Sequence, residues 1–183
     1  ALVSQQARGF AESGYSCTII DFYGSGDSEG ELRDASLDIW QGNIRLTLET
    51  LQRETPAPVI LWGLRLGALI AMDFAAKSTI DIQNIILWQP VVSPERYVTQ
   101  ILRQRVAALV GKDLAPETTS QIRKKLSDGE CVEISGYTVG GVLIQDIENL
   151  SLAGMTALCS GKVHWLEHVS EPGAAPTGAT LKA

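Results

Sequence analysis

Gly63-Leu-Arg-Leu-Gly67, set between the apolar run Val59-Ile-Leu-Trp62 and the apolar stretch Ala68-Leu-Ile-Ala71, has the spacing of a sharp strand-to-helix elbow. In the G-x-S-x-G form of that turn, the flanking glycines leave room for a strained backbone. The central side chain then stands exposed above the sheet at the N-terminus of the next helix. A serine there would be a nucleophile for acyl transfer. Here the central residue is Arg65, whose guanidinium is always protonated and cannot attack a carbonyl. At a helix N-terminus, free backbone N–H groups, the macrodipole and the guanidinium fork together favour a carboxylate or phosphate. The alternative for Arg65 is a salt bridge to a nearby carboxylate such as Asp27 or Glu95.

Tyr23, Leu66 and Gln89 are candidates to line the same cleft as Arg65, making the four a substrate-binding set. Gln89 has a plainer reading, an amide satisfying backbone groups at a strand end. Ser25 and Ser28 lie in a glycine-rich loop without an identifiable base, and read as turn residues. His164 and His168 alternate with Trp165 and Glu167 along a strand-like stretch, a pattern of packed or solvent-facing rather than catalytic histidines. Glu167 and Glu171 read as surface carboxylates, and the acidic cluster Asp27 to Glu31 as a solvated group that could also repel anionic ligands or orient Arg65. Cys17, Cys131 and Cys159 are an odd number without C-x-x-C spacing, which points to reduced thiols and neither disulfides nor a zinc site. No metal or cofactor is expected.

The elements that must position these residues alternate along the chain. Leu2 to Ser13 is an amphipathic helix with Val3, Ala7, Phe10 and Ala11 on one side, and Tyr15 to Asp21 a β-branched run that reads as a buried strand. Phe22 to Gly30, with Gly24, Gly26 and Gly30, is a tight loop at that strand's carboxyl end. From Ser36 to Arg53, apolar residues recur at spacings of three and four up to Leu51, a helix that Pro56 and Pro58 terminate. Val59 to Trp62 is a strand, Arg65 to Lys77 a helix, and Asn84 to Gln89 another buried strand.

Short connections between such units imply an α/β fold: a mostly parallel sheet with helices on both faces and ligands at the strands' carboxyl ends. Tyr15 to Asp21, Val59 to Trp62 and Asn84 to Gln89 should then be parallel neighbours. Residues 1–93 form the core on this reading, and residues 94–160 a helical cap-like insertion. Residues 161–172 return a strand to the core, and 173–183 are an irregular tail. In the insertion, Tyr97 to Leu109 and Thr118 to Asp128 read as helices, Cys131 to Val139 as a strand or extended arm, and Val142 to Leu150 as a helix.

Bulk properties narrow the function. The 183 residues, 45% hydrophobic and 20% charged, suit one ordinary globular domain. A net charge of −6 disfavours nucleic acid and anionic membranes as partners. There is no run of ~18 apolar residues and no signal-peptide pattern, so a cytoplasmic protein acting on a small-molecule acyl or anionic ligand is expected. Nothing in the sequence sets an oligomeric state.

In this order of elements, from about residue 1 to 170, the chain resembles the α/β-hydrolase superfamily. Asp21-Phe-Tyr-Gly-Ser-Gly-Asp-Ser-Glu-Gly30 is similar to its D-x-x-G-x-G-x-S loop, and Gly63 to Gly67 to its nucleophile elbow. More narrowly, the elbow, Leu87-Trp-Gln-Pro-Val-Val92, Thr99-Gln-Ile-Leu-Arg103 and Glu133-Ile-Ser-Gly-Tyr137 resemble the group named exosortase A system-associated hydrolase 2, in which the elbow also carries arginine. That resemblance implies a bacterial setting of exopolysaccharide export and exosortase sorting. It also implies an oxyanion loop ahead of the first helix and a triad histidine beyond the last strand, whereas no histidine follows His168. The chain is therefore expected to be the central part of a longer protein. Two functions stay open: an ester or thioester hydrolase whose triad chemistry Arg65 puts in question, and a non-catalytic binder or accessory protein for an anionic acyl or saccharide intermediate.

Overall fold

The computed structural model describes residues 2–110, 116–153, 155, 159–169 and 171. Helix α1 (Leu2–Glu12) turns Ala7 inward and sets the Phe10 ring edge-on to Trp62, 5.3 Å between centroids. Helix α2 (Leu37–Glu54) begins where the Ser36 hydroxyl accepts the Ile39 amide at 3.2 Å. It buries Leu37, Trp40, Ile44 and Leu48, one stripe of its three-and-four spacing.

Strand β1 (Val59–Leu64) runs through Arg65 alone into helix α3 (Leu66–Lys77), which is buried from Ala68 to Ala75 because it packs on the sheet. Strand β2 (Ile82–Trp88) lies parallel to β1, with Gly63 opposite Leu87 and Leu64 opposite Trp88. Helices α4 (Pro94–Leu109) and α5 (Thr119–Ser127), the antiparallel pair β3 (Val132–Ile134) and β4 (Tyr137–Val139), and helix α6 (Gly141–Asn149) follow. Strand β5 (Val163–Leu166) then returns to pair parallel with the far edge of β2, giving the order β1–β2–β5. The fold class is α/β, a parallel sheet flanked by helices, as the alternation of the sequence implied.

One expected strand is absent. Tyr15 to Asp21 forms no strand and pairs with none among the described residues, and Tyr15 and Ile19 are exposed. Its β-branched composition suits a strand, yet a strand's amides and carbonyls need a neighbouring ladder, and here the sheet ends at β1. Among the described residues it is tied at its start, where the Tyr15 amide donates to the Phe10 carbonyl at 3.0 Å, and at its end. Ile20 and Phe22 pack on the core, Phe22 stacks on Trp40 at 5.1 Å, and the Ser28 hydroxyl donates to the Asp21 carbonyl.

The segment after β2 is held by charged side chains. Arg105 Nε donates to Glu117 Oε2 at 2.7 Å and Arg105 Nη1 to the Glu133 carbonyl at 2.7 Å, while Lys125 pairs with Glu117. Arg123 joins Glu148 and donates to Thr99 Oγ1 at 2.8 Å, linking α5 to α6 and α4. Asp146 of α6 accepts the Leu37 amide at 2.9 Å at the start of α2. Buried apolar residues of all these helices form one cluster with the sheet. The tail expected at 173–183 lies outside the described residues.

Candidate functional site

At the carboxyl edge of the sheet, Arg65 adopts φ 56° and ψ −117°, a region that side chains disfavour and that strains the backbone. Hydrogen bonds on both sides impose it. The Arg65 amide donates to the Trp88 carbonyl at 3.0 Å, and its own carbonyl accepts from Ala68 at 3.2 Å and from Val91 at 3.3 Å. The elbow is thus clasped between the end of β2 and the first turn of α3. A side chain at Gly63 would overlap the Ala68 backbone and the Gly67 carbonyl, so a glycine is required where strand and helix cross. Gly67 differs: a methyl there would meet nothing within 4 Å. Of the two glycines in the motif, Gly63 alone is sterically obligatory.

No side chain caps α3, and of its first amides that of Ala68 donates to the Arg65 carbonyl at 3.2 Å. The guanidinium is exposed and makes no ion pair with a described carboxylate; Asp27 and Glu95 are both exposed and neither pairs with it. Of the two readings of Arg65, the salt bridge to Asp27 or Glu95 is therefore not formed among the described residues.

The other candidates occupy separate positions. Leu66 is half-buried and packs on the core beside the elbow. Gln89, at φ 49°, has its side-chain Oε1 accepting the His168 amide at 2.7 Å while its own amide donates to Leu166 at 2.7 Å. Its amide serves backbone groups at the strand ends, the plainer of the readings given for it. Tyr23 lies in the glycine loop with its ring against Gly30, where any side chain would overlap it. The Tyr23 amide donates to Asn43 Oδ1 at 2.9 Å, and its carbonyl accepts from Trp40 Nε1 at 3.1 Å. No hydrogen bond joins Tyr23 or Gln89 to Arg65 among the described residues.

Ser25 donates to the Phe22 carbonyl at 2.7 Å and Ser28 to that of Asp21, both as turn residues. His164 and His168 are exposed, and no serine hydroxyl is hydrogen-bonded to either among the described residues. Glu171 is exposed as well. His, Cys, Asp and Glu form no group of three or more able to hold a metal ion among the described residues.

Tyr97 is the residue at this site that the sequence did not single out, having shown it only as one apolar position of an amphipathic helix. It stands on the first turn of α4, and the Val91 bond to the Arg65 carbonyl brings the preceding loop onto the elbow. Burial of its ring raises the Tyr97 phenol above its ordinary value, and the Arg65 charge pulls the other way. The two side chains are therefore electrostatic neighbours, reached from different elements.

Residues 1–163 match the family model described as "Serine aminopeptidase, S33". No curated protein matches the chain. No helix among the described residues is long and apolar enough to cross a membrane.

Proposed function

We propose, on the premise that the chain belongs to the serine aminopeptidase S33 family of α/β-hydrolase-fold proteins, that its elbow binds an anion and forms no acyl-enzyme at position 65. One observation carries this reading: a protonated, exposed side chain without a described ion-pair partner occupies the strained position where this turn presents a nucleophile. Guanidinium and uncapped helix amides suit the planar carboxylate of an acyl group or a phosphate attached to a saccharide. Tyr23, Leu66 and Gln89 are retained as a cleft lining on sequence grounds, Leu66 being the one beside the elbow. An exosortase-linked, exopolysaccharide-exporting setting is proposed from the motif resemblance, and a cytoplasmic location from the sequence reading.

The second reading is hydrolysis of an ester or thioester by groups other than residue 65, favoured by membership of a hydrolase family. Two measurements on the same protein separate them: turnover of activated p-nitrophenyl esters, and thermal stabilisation by inorganic phosphate or hexanoate. Anion binding predicts saturable stabilisation without turnover, and a loss of about 1.5 to 3 kcal/mol of binding in Arg65→Ala. Saturable ester turnover that survives Arg65→Ala, with no anion-dependent stabilisation, would overturn it.

A further inference from the structure

We infer that Tyr97 is a second ligand-binding residue of the elbow site, its phenol O–H donating to the same carboxylate or phosphate that Arg65 holds. The inference rests on the anion-binding reading of Arg65 and adds a residue from a different element to it.

The placement comes from the backbone. Two hydrogen bonds fix the turn after β2 to the elbow, Arg65 N–H to the Trp88 carbonyl at 3.0 Å and Val91 N–H to the Arg65 carbonyl at 3.3 Å. Only Val92 and Ser93 separate that contact from Pro94, the first residue of α4, and the Tyr97 amide donates to the Ser93 carbonyl at 3.0 Å to close the first helical turn. Tyr97 therefore cannot stray far from the elbow without breaking either the turn or the helix.

The side chain meets the requirements of a ligand donor. The Tyr97 ring packs against the core cluster, so its position is set before any ligand arrives and little rotamer freedom is lost on binding. Its hydroxyl makes no hydrogen bond to a described residue. Nor is it sealed inside, since the fully buried side-chain atoms left unpartnered among the described residues are Gln41 Oε1 and Trp165 Nε1. A half-buried tyrosine with an unused hydroxyl, on a helix whose lead-in is hydrogen-bonded to the elbow that carries an exposed arginine, is a donor that lacks its acceptor. Burial moves the phenol further above its ordinary value of 10.0, so the hydroxyl is a donor.

The chemistry also limits the ligand. One donor comes from the elbow and the other from α4, so an anion with two or more oxygens can satisfy both at once. The Leu66 and Gly67 amides at the start of α3, which no side chain caps, can serve a third oxygen, which suits a phosphate.

The test is isothermal titration of the chain with inorganic phosphate, using the wild type, Arg65→Ala and Tyr97→Phe, with the melting temperature of each unliganded protein measured alongside. The phenylalanine variant keeps the packed ring and removes only the hydroxyl. Loss of phosphate affinity by roughly tenfold in Tyr97→Phe, with its unliganded melting temperature unchanged, supports the inference. Phosphate binding lost in Arg65→Ala but intact in Tyr97→Phe overturns the role of Tyr97 and leaves the Arg65 reading standing. A drop in the unliganded melting temperature of Tyr97→Phe that accounts for its weaker binding overturns it too, as the hydroxyl would then be structural. If the wild type binds no phosphate, both readings fall together.

Discussion

Gly63 and Ala68 approach so closely that any side chain on Gly63 would overlap the Ala68 α-carbon, although four residues and a complete change of secondary structure separate them. This contact makes the elbow a tight crossing, and it distinguishes two glycines that look equivalent in the motif. Gly63→Ala should destabilise the fold by roughly 1 to 3 kcal/mol through overpacking against backbone. Gly67→Ala, with open space around its α-carbon, should stay within about 0.5 kcal/mol of wild type. Denaturant melts of the two variants check the contrast, and equal effects would refute the steric account.

The strain at Arg65 gives a second prediction. A glycine adopts φ 56° and ψ −117° without the steric cost that an arginine bears there. Arg65→Gly should therefore stabilise the protein by about 1 kcal/mol, the strain released less the extra backbone entropy of glycine. The same variant should lose anion binding. Higher stability with lower affinity is the pattern of a residue kept for function against the preference of the backbone.

Glu117 provides a pH test. Hydrogen bonds from Arg105 and Lys125 hold its carboxyl below the ordinary glutamate value of 4.5. A group whose folded value is depressed stabilises the native state above its unfolded value, and that contribution is lost as the pH falls through the folded value. Glu117→Gln should lower stability at neutral pH by about 1 kcal/mol, a modest figure because Lys125 is partly exposed. The gap from wild type should close as the pH drops below 4.5. A gap that is constant with pH would show that the lost contribution is not electrostatic.

Gln89 ties the end of β2 to the segment after β5 through its side-chain contact with the His168 amide. Gln89→Ala keeps the unfavourable φ and loses that bond, which should cost about 1 kcal/mol. Hydrogen exchange should locate the effect, with faster exchange at His168 and the Val163–Leu166 amides and little change in β1. Uniform acceleration across the sheet would argue for a global effect instead.

Helix α2 was legible in the sequence because its apolar residues fall on one stripe and Pro56 and Pro58 stop it, both local signals. The elbow was legible because glycine spacing encodes backbone geometry directly. Tyr15 to Asp21 was misread for a physical reason: β-branched residues report what a strand would tolerate, and pairing depends on a neighbour that local composition does not contain. Arg65 shows the same division. Its turn could be read from flanking residues, while the lack of an ion pair with Asp27 or Glu95 among the described residues depends on where loops far apart in sequence come to rest. Tyr97 was hidden for that reason too, since its nearness to Arg65 comes from a hydrogen bond between Val91 and the elbow. The Gln89 side chain accepts the His168 amide, as a strand end has backbone groups to satisfy wherever it lies.

The sheet order also sets a sequence of events in folding. Strands β1 and β2 are joined through α3 as a nearly local unit, whereas β5 finds its place beside β2 only after residues 89–162 have been spanned. Closing a loop of that length costs about 4 kcal/mol of chain entropy if the intervening segment is still disordered. The cost falls once α4 to α6 have packed and drawn the ends together. High contact order is thus concentrated in one short strand, so β5 should be the last part of the sheet to gain protection during refolding and the first to lose it during unfolding.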